Sequence, residues 1–302
     1  MTMNTSSFAK ALYPGVNAWY GKAYDEYPVE VDKLFDKFSS KRNYEEDVGL
    51  SSFGLAVEKP EGSAVTFDSE RQGFTTRYRH VVYALGFVIT REMLDDDQYD
   101  VAAQRRAQGL AFSMRQTKEI VGANVYNRAF NTSYTFGDGQ VMLGSAHPNI
   151  AGGTQSNILS TASDLSEAAL EQASIDISLL KNDRGLQISL RPQQLIIPPQ
   201  LQFEASRILK SDGRVATANN DLNALKDMGM FSKGVTVNHY LTDSDAWFIR
   251  TNAPHGMKYF ERDADEFGTD NDWDTENAKF KARARYSFGM TDWRGVFGTP
   301  GA

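Results

Sequence analysis

Residues Tyr99 to Phe130 read YDVAAQRRAQGLAFSMRQTKEIVGANVYNRAF, and this stretch decides the fold. Apolar or small residues recur at Ala103, Ala107, Leu110, Met114, Thr117, Val121 and Val125, the three-and-four spacing of one helical face. Arg105, Arg106, Arg115, Lys118 and Arg128 fall on the remaining arc, which predicts a solvated side. Asp95, Asp96 and Asp97 precede the helix, where negative charge suits the positive end of its dipole. A polar, turn-rich run from Asn131 to Gly139 follows it. A rod over 99–130 is roughly 48 Å long at ~1.5 Å per residue, well beyond the ~8–20 residues of an ordinary globular helix. Such a rod serves as a spine on which other elements lie.

At 302 residues the chain is long enough for a large core and two subdomains. With 41% hydrophobic and 24% charged residues, it has the balance of a folded domain. No run approaches the ~18 apolar residues of a membrane span, and residues 1–20 lack a basic-then-apolar export pattern, so no membrane partner and a cytoplasmic site of assembly are expected. The absence of cysteine removes disulfides, thiolate nucleophiles and cysteine-ligated zinc. A net charge of −7 argues against avid DNA binding over the whole surface, though the arginines of the spine leave room for a local basic patch.

Outward from the spine, the period changes. SFGLAVEKPEGSAVTF, from Ser52 to Phe67, alternates Phe53, Leu55 and Val57, turns at Lys59-Pro60-Glu61-Gly62, and resumes with Val65 and Phe67, which predicts a hairpin. A long return strand is expected from Gly73 to Thr90, with Val81, Tyr83, Leu85, Phe87 and Ile89 facing a core. The hairpin's basic, threonine-rich part around Arg77, Arg79 and His80 has little surface to bury and should project or lie against a partner; an ordinary surface hairpin is the plain alternative. Before it, Val31, Leu34, Phe35 and Phe38 share one face of a helix over Val29 to Phe38. That segment is either docked on its own domain or an arm laid on adjacent subunits. Aromatic residues near both ends, Phe8, Tyr13, Trp19 and Tyr20 and then Trp293 and Phe297, indicate termini tied down on something apolar.

After the spine, Gly137 to Gly153 reads as a loop, with His147-Pro148 as turn residues. The four histidines are scattered without ligand spacing, so no metal is expected. Asp164 and Glu167 have the form of a helix cap, opening a helix that ends by Arg184-Gly185. Next come a buried strand at Gln194 to Pro199, a helix at Gln200 to Lys210 carrying Phe203 and Ile208, a polar loop over 211–223, and strands from Gly234 and Asp245. The class is α+β. Residues 261–279 are strongly acidic without EF-hand spacing, which predicts a solvated loop. In FKARARYSFGMTDWRGVFG, Phe280, Ala282, Ala284 and Tyr286 alternate with Lys281, Arg283 and Arg285: a half-buried strand with a basic outer face, expected to return to the sheet of residues 51–90. No GxSxG elbow, P-loop, dinucleotide fingerprint or kinase set is present, so neither catalytic residues nor a cofactor are assigned.

This order of elements resembles the tailed-bacteriophage major capsid proteins of the Hong Kong 97-type fold, Mu-like major head subunits among them. The resemblance rests on the hairpin 51–80 as the extended loop, LGFVITREMLDDDQYD (Leu85 to Asp100) leading into the spine helix, PQQLIIPPQLQFEASRIL (Pro192 to Leu209) as the axial strand and helix, and the closing strand with its tail. It implies an N-terminal arm over 1–48, an extended loop over 49–84, a peripheral domain over 85–163 with spine helix 99–130, an inserted axial domain over 164–260, and a peripheral return strand and tail over 261–302. It also implies hexamers and pentamers of one chain building an icosahedral shell around double-stranded DNA, a virion location, and portal, scaffolding and decoration proteins as partners. The segment before the hairpin is too short for a cleaved scaffolding helix, so a separate scaffold is expected. Lys59 near the tip is not assigned a crosslinking role. Intersubunit contacts are expected at Phe8, Trp19, Tyr20, Arg77, Arg79 and Trp293, and inner-face screening of DNA at Arg105 and Arg106. The competing classes are a soluble α+β enzyme and another virion component such as a tail or decoration protein.

Overall fold

The computed structural model describes residues 9–95, 99–213, 222–272 and 276–302. The spine is helix α4, Tyr99–Asn127, 29 residues long. Ala103, Ala107, Leu110, Ala111, Met114, Ala123 and Tyr126 form its buried face. The chain leaves the helix three residues earlier than expected: the Asn127 side chain donates to Tyr240 O and accepts from Thr242 N, and Ala129 O is taken by Leu143 N. Of the acidic approach, Asp95 ends the short helix α3, Arg91–Asp95, and Asp96 and Asp97 lie outside the described residues.

The expected solvated arc of the spine is half covered. Helix α1, Ala9–Glu26, lies along α4 of the same subunit and buries Val16, Tyr20 and Ala23. Arg115 and Lys118 are therefore interior rather than exposed. The long aliphatic stems of such cations tolerate burial when the charged heads find partners. Arg115 sits over the Tyr24 ring at 4.3 Å, and Lys118 reaches Glu261 at 3.3 Å.

The helix expected over Val29–Phe38 shrinks to α2, Val31–Leu34. The buried carboxylate of Glu119 accepts from Val31 N at 2.8 Å and Glu30 N at 3.3 Å, satisfying donors the helix start leaves open. Asp36–Ser39 becomes strand β1 instead, because the edge of β10, Met257–Asn271, offers a parallel ladder to it. The first sheet has the order β1-β10-β11-β4, with β4 at Val81–Ile89 and β11 at Ala278–Met290. Phe280, Ala282, Ala284 and Tyr286 of β11 are buried, opposite Phe87, Leu85, Tyr83 and Val81 of β4.

Residues 261–271, expected as solvated loop, thus belong to a strand. The ladder explains why so acidic a segment pairs: Asp263 faces Arg285, Glu266 faces Arg283, and Asp270 faces Lys279. Opposite charges on neighbouring strands stabilise a pair, so the basic outer face of β11 selects an acidic lane.

The second sheet has the order β12-β9-β7-β8. Its central strands β7, Pro192–Ile197, and β9, Trp247–Thr251, are buried almost throughout; β8 is Val235–Val237. Strand β12, Val296–Thr299, pairs with β9, so the tail completes this sheet rather than the first one. Helix α5, Glu167–Leu179, is capped by Ser166, whose Oγ accepts from Ala169 N at 3.2 Å. The expected cap Asp164 accepts from Ala302 N instead. Helix α6 begins at Gln202 after a tight turn at Pro199–Leu201 and ends at Lys210; Ile208 is buried and Phe203 exposed. Helix α7, Ala224–Asp227, follows, and residues 214–221 of the expected polar loop lie outside the described residues.

His147 is not a turn residue. It lies in strand β5, His147–Pro148, which pairs with β6, Thr154–Gln155. Fully buried, its Nδ1 is 2.6 Å from Asp138 and its ring stacks on Trp293 at 4.8 Å.

Candidate intersubunit surfaces

The hairpin ladder begins before the apolar alternation that predicted it. Strands β2, Tyr44–Leu50, and β3, Gln72–Arg79, pair from Tyr44↔Arg79 to Leu50↔Gln72. Residues 51–71, where the two strands were expected, carry no ladder. An isolated two-stranded ribbon is marginal in water without a surface to pack on, and residues 52–71 are all exposed in the subunit. The turn itself stands as expected: Ser63 N donates to Pro60 O at 3.1 Å, with Gly62 at φ 80°. Asp68 accepts from Gly54 N at 2.8 Å and pairs with Arg184 at 3.2 Å.

The result is a projecting loop with bare apolar side chains. Phe53, Leu55, Val57, Val65 and Phe67 are all exposed, Phe67 to 91%. The base is held firmly. Asp47 of β2 accepts from Lys258 Nζ, and from Thr291 Oγ1 at 2.8 Å. Burial on its own raises this carboxyl, but the bonds from Lys258 and Thr291 outweigh it and hold it below the usual carboxylate range. His80, between β3 and β4, sits between Ser287 at 3.0 Å and Ser40 at 3.1 Å, and burial lowers its proton affinity. Arg77 is exposed but bound within its own hairpin, to Glu46 at 2.5 Å and over the Tyr44 ring at 4.6 Å.

Strand β4 is the second bare surface. VVYALGFVI is apolar on both faces, as in a strand covered on both sides, yet it lies at the open edge of its sheet. Ile89 alone of the expected core set is fully buried, and Tyr83 and Phe87 are half-buried. Val81 and Leu85 are 46% and 49% exposed, and Val82 and Val88 on the other face are exposed as well. Beside β4 an open cleft of about 230 Å³ is lined by Tyr83, Tyr286, Phe288 and Val125 together with Arg79 and Arg128. Sequence reasoning placed Arg128 on a solvated arc; in the fold it lines this cleft with Arg79.

The other expected contact residues divide. Phe8 lies outside the described residues. Trp19 is half-buried against the core. Tyr20 is interior and donates to Asp265; burial and that bond raise its hydroxyl pKa, and burial raises that of Asp265. Trp293 is also interior, so neither side chain is free for a neighbour in this conformation. Arg105 and Arg106 are exposed on α4, and Arg106 donates to Val88 O at 2.8 Å. Among the described residues no three His, Cys, Asp or Glu side chains are grouped to hold a metal ion, and no helix is long and apolar enough to cross a membrane.

A family model described as phage capsid protein matches residues 73–298. No curated protein matches. Among solved structures, the subunit of the JBD30 bacteriophage procapsid aligns with TM-score 0.55 and 12% identity, covering 98% of this chain and 76% of that one. The virus-like particle from Pyrococcus furiosus gives 0.53 and 12%, covering 94% and 97%. The capsid of a native GTA particle gives 0.54 and 9%, covering 89% of each. Spine, projecting hairpin and two sheets, with a family match over three quarters of its length, place this chain in the phage capsid protein family, with a Hong Kong 97-type fold.

Proposed function

We propose that this capsid protein is the major head subunit, which assembles into hexamers and pentamers and closes an icosahedral shell around double-stranded DNA. One observation carries the proposal. The loop over 51–71 presents five large apolar side chains that its own subunit leaves in water. Exposed apolar patches of that kind mark protein contacts, and a thin shell needs contact area beyond what a compact body supplies. Trp19 on α1 and Arg79 at the hairpin base add lateral contacts, and Arg105 and Arg106 on the spine screen packaged phosphate. Portal, scaffolding and decoration proteins join this shell, and assembly takes place in the host cytoplasm.

Negative-stain electron microscopy of the purified chain, alone and with a scaffolding partner, tests this against the double variant Leu55→Asp, Phe67→Asp. The expected outcome is closed shells or sheets of rings for the natural chain, and folded, unassembled subunits with an unchanged melting curve for the variant. A persistent monomer or dimer of the natural chain in both conditions overturns the proposal, as do normal shells from the variant.

A further inference from the structure

We infer that the fold holds His147 as a doubly protonated imidazolium, and that this proton fastens the loop after the spine to the tail. The subunit thereby contains a pH-sensitive clasp, remote from its exposed apolar surfaces.

Counting donors and acceptors leads to this state. A neutral imidazole has one donor nitrogen and one acceptor nitrogen, yet both nitrogens of His147 face acceptors. Nδ1 is 2.6 Å from Oδ2 of Asp138, whose Oδ1 accepts from Gln140 N at 3.1 Å. Nε2 is 3.1 Å from Oδ1 of Asn157. The Asn157 amide has only one workable orientation. Its nitrogen lies within 3.2 Å of the carbonyls of Met142, Trp293 and Val296, and its oxygen accepts from Gly144 N at 2.9 Å. Turned over, it would set an oxygen against three carbonyls and a nitrogen against an N–H. Nε2 therefore donates to Asn157. Between Nδ1 and Asp138 the carboxyl is the stronger acid, so the proton there sits on the ring as well.

The surroundings make that proton consequential. His147 is fully buried and Asp138 nearly so, and among the described residues Asp138 is the charged group that the ring touches. From the tail, Trp293 stacks on the ring at 4.8 Å. Arg294 stands over the same indole at 4.3 Å, with its own carboxylates, Asp183 at 3.0 Å and Asp292 at 3.3 Å; burial raises the pKa of Asp292. A buried ion pair persists when each partner is fully bonded, and breaking it strands the other charge. Loss of the proton would leave Asp138 charged without a cation, and one of the two acceptors without a donor.

The effect reaches the second sheet through Asn157. Its carbonyl accepts from Gly298 N at 3.2 Å, and its amide holds Val296 O, so it fixes both sides of β12, where Val296 and Phe297 are fully buried. Histidine is the side chain suited to such control near neutral pH. The sign follows from linkage. The fold keeps a proton that the unfolded chain releases sooner, so the clasp contributes fully in mild acid and fades as pH rises.

With four histidines in the chain, nitrogen NMR of the full-length, histidine-labelled, unassembled subunit tests the inference directly. His147→Gln identifies the His147 resonances by their loss. The expected result at pH 7 is a proton on each ring nitrogen of His147, both slow to exchange with water. A bare ring nitrogen in the folded chain overturns the inference. Urea unfolding of the natural chain and of His147→Gln, compared from pH 6 to pH 9, reads the clasp itself. Glutamine supplies a donor to one side only and carries no charge. The advantage of the natural chain should shrink by about tenfold in folding equilibrium constant as pH rises, the effect of one buried acceptor left unpaired. His80, His239, His255 and Asp292 are present in both chains, so their own titration largely cancels. Parallel profiles overturn the clasp. Should His147→Gln fail to fold, Asp138→Asn decides, since it keeps an acceptor oxygen and removes the charge. The second ring proton should then leave at a lower pH than in the natural chain, and loss at the same pH overturns the inference.

Discussion

Glu261→Gln is the sharpest test of how the subunit body is held. In the structure this carboxylate joins three elements. It pairs with Lys37 of β1 at 2.6 Å and Lys118 of α4 at 3.3 Å, and it accepts from Tyr259 Oη at 2.7 Å. Burial alone raises its pKa, but the bonds from Lys37 and Tyr259 and the charges of Lys118 and Lys37 prevail and hold it at about 2. A carboxyl moved from 4.5 to about 2 is worth roughly 3 kcal/mol at ~1.4 kcal/mol per tenfold change in proton affinity. Its side chain is 20% exposed, and solvent screening brings the expected value to about 2 kcal/mol.

The sign follows from linkage. The folded-state pKa lies below the unfolded one, so the unfolded chain binds more protons in between. The stabilisation is present above pH ~5 and is lost as pH falls through 2. The amide keeps the shape and removes the charge, leaving the nearly buried Lys118 uncompensated, which adds to the cost. A total near 3 kcal/mol lowers Tm by about 5 °C for a chain of this length, at ~2.1 cal/mol/K per residue. Asp265 and Glu119 are raised by burial and slope the other way, favouring the fold at low pH. The informative quantity is therefore the difference between natural and variant chains in urea unfolding of the unassembled subunit. That difference should be about 2–3 kcal/mol at pH 7 and shrink toward pH 3. Equal midpoints at pH 7, or a difference independent of pH, would refute the reasoning.

Gly122→Ala should destabilise the subunit by about 1–3 kcal/mol in urea titrations, although alanine is the better helix former by ~1 kcal/mol. Its Cβ would stand 2.2 Å from Cγ2 of the fully buried, β-branched Val31; a gain in stability would show that α2 and α4 are not so closely packed. Asn157→Ala should cost about 3 kcal/mol or more in thermal unfolding. Its amide donates to the carbonyls of Met142, Trp293 and Val296 and accepts from Gly144 N, and each buried group left unpaired costs ~1–3 kcal/mol. A loss below 1 kcal/mol would mean that water replaces it.

The elements legible in the sequence were those whose own periodicity carries the signal. The spine face, the apolar run of β7 and the alternation of β11 needed no knowledge of a partner. Elements specified by a partner were not legible. Residues 261–271 look like a solvated loop until the basic lane of β11 is set beside them, and Asp36–Ser39 is a strand only because β10 leaves an edge open. Arg115 and Lys118 are indistinguishable from surface cations in the sequence, since Tyr24 and Glu261, which allow their burial, come from distant segments. At the candidate contact surface, the apolar alternation of the loop was visible. What covers the β4 row was not, because an apolar row such as Val81, Tyr83 and Leu85 does not say whether its cover is the same chain or another.

In the proposed shell, the division between firm base and bare tip would let one loop serve differently curved rings. Tyr78 lies on Gly289, where even a Cβ would come within 2.8 Å of the ring, and it packs on Phe260 at 4.8 Å. With Asp47 bonded to Lys258 and Thr291, and His80 between two serines, the hairpin leaves the body in one direction. Beyond Leu50 and Gln72 there is no ladder to bend. Adjusting the tip therefore breaks few hydrogen bonds, whereas tilting the base would break several buried ones. In the proposed shell, hexamers and pentamers present the next subunit at different angles. A loop aimed by its base and shaped by its seat accommodates both without altering the body, and its apolar side chains bind without a fixed hydrogen-bond register.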